Sequence, residues 1–588
     1  MLRAVFYFRR LGRAFVRSLH KEAVSMHIIQ IHGITVNHAG RDVFRDLTWM
    51  IGSEQKIGLV GPNGAGKSSL IRAIAGEITP TRGTITHVRG LSVGYLAQEV
   101  RLPEGTLFEA ACVPSPELAD ALAELAAIEA RMSDPQIYND PDALAEALEA
   151  QALALQRCQR LDADRQVSLV RELLRRLGFS PADEHLPTSA LSGGQTKLVA
   201  LARLAAWSPD VLLLDEPDNH LDLTAKAKLE AFLRDYPGTV ILVSHDRYLL
   251  DACVTQIAEL ENGVITAYNG GYSDYTVERE VRRIRQQQQY LTQQRELARI
   301  EAMIKEWELK AKADLNERHA RQAASRRRML ARMEANGEII DAVTERQLMA
   351  LQIAGGRGST KAIELKDVTM GFGDDLLFLG INLLVRHGER VGLIGRNGAG
   401  KSVLFRLILG EHEPIDGVIR VGPSTRIGYY AQRHETLSAW ANRTPIDLVR
   451  DAQPMSEGAA VTRLLRFAFT YEQTRQPIGT FSGGERSRLQ LLALVLQQPN
   501  LLLLDEPTNN LDIASAEVLE AALEDFEGAI LTISHDRYFL DRIADRIVEL
   551  EDGALYEYVG GYGDYVQQKA ARLAVRSSPQ PAKVRRRA

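Results

Sequence analysis

Two short stretches carry glycines, a lysine and a serine in one spacing: "GPNGAGKSS" at 61–69 and "GRNGAGKSV" at 395–403. Both fit Gly-x-x-x-x-Gly-Lys-Ser/Thr. Gly61, Gly64 and Gly66, like Gly395, Gly398 and Gly400, let backbone N–H groups close around phosphates where a Cβ would obstruct them. A helix starting at the lysine adds partial positive charge. Lys67 and Lys401 would reach the β- and γ-phosphates, Ser68 and Ser402 would ligate Mg2+, and Asn63, Ser69 and Asn397 complete the loops. Two acidic pairs have matching chemistry. Asp215 and Asp505 would hold Mg2+, directly or through water, and Glu216 and Glu506 would polarise an attacking water. The plainer reading of each pair is a strand-ending turn with solvated acids, which the two phosphate loops disfavour.

These residues need particular elements beneath them. A strand over Lys56–Val60 and a helix over Lys67–Ala75 would frame the first loop. The runs "VLLLDEP" and "LLLLDEP" suit strands buried on both faces. The acids then stand at the C-terminal strand ends, where α/β sheets bind ligands. "LSGGQTK" (191–197) and "FSGGERS" (481–487) open helices with a serine and two glycines, again suited to an anion.

The chain repeats itself. "SHDRYLLD" (244–251) returns as "SHDRYFLD" (534–541), and "GGYSDY" (270–275) as "GGYGDY" (560–565). A period this long means two homologous domains rather than a solenoid. Asp215 to His245 and Asp505 to His535 are both 30 residues, whereas Lys67 to Asp215 is 148 and Lys401 to Asp505 is 104, a difference of 44. Gln98 to Ser192 (94) and Gln432 to Ser482 (50) give the same 44, so the first copy's insertion lies between those points. There "PELADALAELAAIEARM" and "DPDALAEALEAQALALQRC" read as two amphipathic helices.

Between the copies, residues 282–334 hold 14 Lys or Arg against 7 Asp or Glu, a net of +7 in a chain of net −5, leaving −12 elsewhere. Leu297, Ile300, Ile304 and Trp307 recur at steps of three and four, the seam of a helix pair. Two antiparallel helices with a tip near Leu309 to Arg321 are expected. Trp307 could stack on a base, but its spacing favours the seam.

A chain of 588 residues exceeds one core, and roughly 150 residues per domain suggests two to four domains. Cys112, Cys158 and Cys253 have no paired spacing, which fits a reducing cytoplasm. No apolar run approaches the roughly 18 residues needed to span a bilayer. Residues 1–25 are basic, with Arg3, Arg9, Arg10, Arg13, Arg17 and Lys21 before the first acid, Glu22. They suit a targeting or surface-binding helix, or, as favoured here, an unfolded extension or a start assigned too early, with Met26 the true start.

Phosphate loop, Gln98 or Gln432, SGG turn (Ser192, Gly193, Gly194; Ser482, Gly483, Gly484), "DEP" and an isolated histidine (His245, His535), in this order, resemble the ATP-binding cassette family over residues 26–271 and 361–566. The resemblance implies an α/β protein of two P-loop NTPase cassettes joined by a helical, coiled-coil-like linker. It implies one ATP between Lys67 and Ser482 and another between Lys401 and Ser192. Gln98 and Gln432 would help to hold Mg2+, and His245 and His535 would contact the γ-phosphate. The family's adenine-stacking aromatic is matched by Phe372, but the first copy has His38 there. Asp218 stands where threonine is usual, and Asn510 where the first copy has His220. Two active but unequal ATPase sites are expected.

Three partners compete. A membrane transporter's ATP-binding subunit would need no basic helical linker. A repair or chromosome ATPase would carry zinc cysteines or a far longer coiled coil. The layout is most similar to the ABC-F group, which implies a cytoplasmic factor acting on the ribosome, its rRNA and tRNA, through linker residues 282–334. The domains expected are an extension 1–25, a first cassette 26–271 with a helical arm at about 103–160, a linker 272–360, a second cassette 361–566 and a basic tail 567–588. Cassette pairing within one chain makes a monomer sufficient.

Overall fold

The computed structural model describes residues 27–38, 41–133, 135–138, 140–161, 163–314, 317–336, 351, 353, 356, 358–373, 375–432 and 435–577. The expectations for residues 1–25 and for the end of the basic tail lie outside them. The chain forms two compact units, meeting in sequence at Ala267 and Tyr268.

The first unit is built from β1 (His27–His38), β2 (Arg41–Gly52), β3 (Lys56–Val60), β4 (Arg82–His87), β5 (Val93–Leu96), β6 (Val211–Asp215), β7 (Thr239–Val243), β8 (Gln256–Glu261) and β9 (Val264–Asn269). Two sheets result, of order β2-β1-β4 and β5-β6-β7-β3-β8-β9. The smaller is antiparallel. In the larger, β5, β6, β7, β3 and β8 run parallel, as helical crossovers require. Helix α1 (Lys67–Ile74) follows the phosphate loop directly. Its Leu70 and Ile74 join Ile31 and Ile51 of the small sheet and Leu59 and Leu213 of the large one in a single core.

The second unit repeats this with β10 (Lys361–Phe372), β11 (Asp375–Arg386), β12 (Arg390–Gly395), β13 (Asp416–Val421), β14 (Ile427–Tyr430), β15 (Leu501–Asp505), β16 (Ala529–Ile533), β17 (Arg546–Glu551) and β18 (Ala554–Val559), in orders β11-β10-β13 and β14-β15-β16-β12-β17-β18. Strand β15 explains the unbroken leucine run. Leu501 and Leu503 face the core beneath the small sheet, and Leu502 and Leu504 face a second core under the helices. Both faces of the strand are thus covered, and each buried leucine stabilises by about 1.5–3 kcal/mol.

The insertion of the first copy forms α2 (Pro116–Met132) and α3 (Pro141–Leu161). Arg157 pairs with Glu124 at 2.8 Å, and Gln151 donates to Glu129 at 3.3 Å. Later residues of one helix meet earlier residues of the other, so the pair is antiparallel. Farther along the first unit lie α4 (Gly193–Ala206) and α5 (Leu223–Asp235).

The linker forms α6 (Tyr272–Asp314) and α7 (Glu317–Ala335). Their seam buries Ile300, Ile304 and Ala323, with Met303, Trp307 and Leu330 packed against it. Trp307 is therefore a seam residue. Glu308 and Arg327 pair at 2.8 Å near the break between the helices. Tyr272 Oη donates to Glu517 at 3.2 Å, tying the base of α6 to its unit.

Candidate functional site

In each unit three neighbouring parallel strands deliver chemistry to one edge of the sheet. In the first, β3 runs into the phosphate loop, β6 ends at Asp215, and β7 is followed by Ser244 and His245. Register fixes their level, because Asp215 lies beside Val243 and Val243 beside Leu59.

The loop conformation demands its glycines. Gly61, Gly64 and Gly66 have φ of 149°, 81° and 95°, and Gly395, Gly398 and Gly400 have 156°, 83° and 99°. Lys67 is buried, and its Nζ donates to the Gly61 and Pro62 carbonyls at 2.8 and 3.0 Å. Lys401 donates likewise to Gly395 and Arg396. The loop carbonyls thus hold each ammonium over the concavity. Asn63 and Asn397 are exposed on the loops, Ser69 is half-buried, and Ser402 is exposed at the start of its helix.

Ser68 hydrogen-bonds Asp215, whose carboxyl is pushed above the usual range by burial, partly offset by Ser68 and Lys67. The Asp215 Oδ1 atom is buried without a hydrogen-bond partner. Asp505 is equally buried at the end of β15. Glu216 is raised by burial, then by Asp215 and Asp218. Gln98 Nε2 donates to Glu216 Oε2 at 2.8 Å, and the Asn219 amide donates to the same oxygen. His245 Nε2 lies 3.7 Å from Glu216 Oε1. In the second unit, His535 Nε2 lies 3.6 Å from Glu506 Oε1, and the His535 backbone N–H donates to the other carboxylate oxygen at 3.2 Å. Glu216 and Glu506 both adopt positive φ, 49° and 52°, a conformation rare for a non-glycine residue. Gln432 is exposed just after β14.

The SGG turns start helices. Ser192 caps α4 and accepts from the Gln195 N–H at 3.2 Å, and Gln195 Oε1 accepts in return from the Ser192 N–H. A Cβ on Gly194 would meet the His220 carbonyl at 2.6 Å, so this turn packs tightly on the segment after "DEP". Gly193 lies exposed beside it. Ser482 caps the matching helix through Glu485. Gly483 faces Asn510, with Gly484 half-buried. Phe372 ends β10 half exposed, its ring edge-on to His412 at 5.9 Å. His38 ends β1 at the matching register, opposite Arg41.

Sequence reasoning passed over Asn219 and Lys197. The Lys197 Nζ donates to the Glu216 carbonyl at 2.7 Å. Asn219 could have been found from the repeat, because Asn509 occupies the same place.

The family model described as ABC transporter matches residues 44–219 and 378–509, and a second model of that description matches 258–351. The chain is 30% identical over 553 residues to ABC transporter F family member 2 of Arabidopsis thaliana, covering 93% of this chain and 80% of the relative. It belongs to the ABC-F family of twin-cassette ATP-binding proteins. This ABC-F chain is also 35% identical over 544 residues to the energy-dependent translational throttle protein of Haemophilus influenzae, covering 91% and 94% of the two. Among solved structures, it shares its fold with the archaeal ribosome recycling factor in complex with a ribosomal stalk protein, at TM-score 0.56 and 17% identity over 92% of each chain. Among the described residues no helix is long and apolar enough to cross a membrane.

Proposed function

We propose that this ABC-F protein is a switch that binds and hydrolyses ATP at two sites and acts on the ribosome and its tRNA, as a translation factor or an antibiotic-protection factor. The observation that carries the ATPase reading is the twice-built glutamate: Glu216 beside His245, and Glu506 beside His535, each one residue past a buried aspartate. Lys67 and Lys401 bind the β- and γ-phosphates. Glu216 and Glu506 orient and polarise the attacking water, and His245 and His535 sense the γ-phosphate. Phe372 stacks on adenine in the second cassette.

The donor set fits Mg2+. The buried Asp215 Oδ1 has no partner and Ser68 stands beside the same carboxylate. Among the described residues no larger cluster of acids, histidines or cysteines could form a cage. Mg2+ typically takes one or two protein oxygens and completes its shell with water and phosphate. Asp215, Ser68 and Gln98 would hold it in the first cassette, and Asp505, Ser402 and Gln432 in the second. It would neutralise charge on the phosphate oxygens.

By the family pattern, each ATP also meets the SGG serine of the other cassette: Ser482 for Lys67, and Ser192 for Lys401. A switch requires ATP to interact differently with its two states.

The linker supports the ribosomal reading. Arg318, Arg321, Arg326, Arg327, Arg328 and Arg332 are all exposed, and guanidinium groups neutralise RNA phosphates and stack on bases. The relative named as a translational throttle gives the same direction. The test of the ATPase reading is turnover of Glu216→Gln and Glu506→Gln, separately and together. The double variant should lose about 100-fold or more, and each single variant should keep part of the activity. Complete loss from one with no change from the other would contradict two active sites.

A further inference from the structure

An offset of 290 carries Asp215 to Asp505 and His245 to His535. Applied to the surroundings of Glu216, it exposes a difference between the cassettes. Among the buried charges of the first are Lys197 on α4, Asp218 after β6, Lys226 on α5 and Asp246 after β7. Lys226 and Asp246 pair at 2.8 Å. Asp218 is hydrogen-bonded by Ser244 and feels Lys226 as its main attractive charge. Lys197 reaches the Glu216 carbonyl and lies within the field of Asp218, Glu216 and Asp215. In the second cassette the same places hold Ser487, Thr508, Ala516 and Asp536, so three of the four charges are gone.

Fold does not require the charged set. The second cassette builds the same sheet without it, and buried ion pairs replaced by neutral residues often cost nothing in stability. What the set changes is the support of the glutamate. Glu216 and Glu506 share the left-handed backbone conformation. In both, the N–H three residues on donates to the glutamate carbonyl, at 3.4 Å from Asn219 and 3.2 Å from Asn509. Glu216 gains a lysine on that carbonyl, at 2.7 Å, and the matching position in the second cassette is Ser487. An ammonium there fixes the peptide that aims the carboxylate. Asp218, itself balanced by Lys226, gives the ammonium a counter-charge.

We propose that Lys197 is a positioning residue for Glu216, held by the Asp218–Lys226–Asp246 chain, and that only the first site depends on such a lysine. This rests on the ATPase reading above. The experiment measures kcat and KM for ATP in the full chain, with thermal unfolding of every variant as a folding control. Glu216→Gln defines the first site's share of turnover. Lys197→Met should remove about two-thirds or more of that share, with KM changed less than about twofold. In a Glu216→Gln background, Lys197→Met should change the residual rate by less than about twofold, because the two act as one unit. The inference is overturned if Lys197→Met leaves the first site's share intact. It also fails if Lys197→Met lowers the rate equally in both backgrounds. Absence of ATP turnover in the native chain, or a Glu216→Gln variant as fast as native, would overturn the first-site ATPase reading and this inference with it.

Discussion

Gly61 and Gly64 have the same part in the sequence motif and different surroundings. A Cβ on Gly61 would sit 2.3 Å from the Leu260 carbonyl oxygen, whereas one on Gly64 would have nothing within 4 Å. Backbone cannot step aside as a side chain can, so Gly61→Ala should destabilise the protein by about 2–4 kcal/mol. Gly64→Ala pays only for its φ of 81°, about 1 kcal/mol. Denaturant unfolding of the two variants checks the order, and equal losses would contradict it. Asp218 supports a second prediction. It is one of the two carboxylates that raise Glu216, after burial. Removing a like charge lowers a carboxyl's pKa. Asp218→Thr should therefore move the acid limb of the kcat profile to lower pH, and a shift to higher pH would refute the assignment. The glycines and lysines of the loops were legible because the anion fixes their spacing. Lys197 and Lys226 were not, and Asp218 was legible only as a departure from the usual threonine, because the three lie on separate elements and meet only in the fold.

At the scale of elements, legibility followed periodicity. The arm helices are marked by alanine and leucine at helical spacing, and "LLLLD" by length and continuity alone. The linker seam was readable from Ile300, Ile304 and Trp307, but the break between α6 and α7 was not, since no glycine or proline marks it. Among the described residues the hairpin's own core is small, three buried residues with three more against it. Ile304→Ala should cost it about 2–4 kcal/mol. Amide exchange should then quicken in α6 and α7 while β12, β15 and β16 stay protected, because local units open independently of the global fold. Unchanged exchange in the hairpin would mean that the seam does not hold it together.

For the whole molecule, the duplicated motifs identified the cassettes, and the uneven charge, +7 in the linker against −12 elsewhere, singled out the segment that can meet RNA. The partner itself is not legible in this way, since a basic helical face fits any polyanion. Whether linker and ATP sites belong to one device is the central claim. The most direct measurement is co-sedimentation with ribosomes of the Glu216→Gln, Glu506→Gln double variant, with and without ATP, at low and moderate salt. The account predicts ATP-dependent binding that weakens as salt rises and falls further when the six linker arginines become alanine, since each lost phosphate contact releases fewer counterions. No binding with ATP even at low salt, or binding indifferent to ATP and to those arginines, would contradict it.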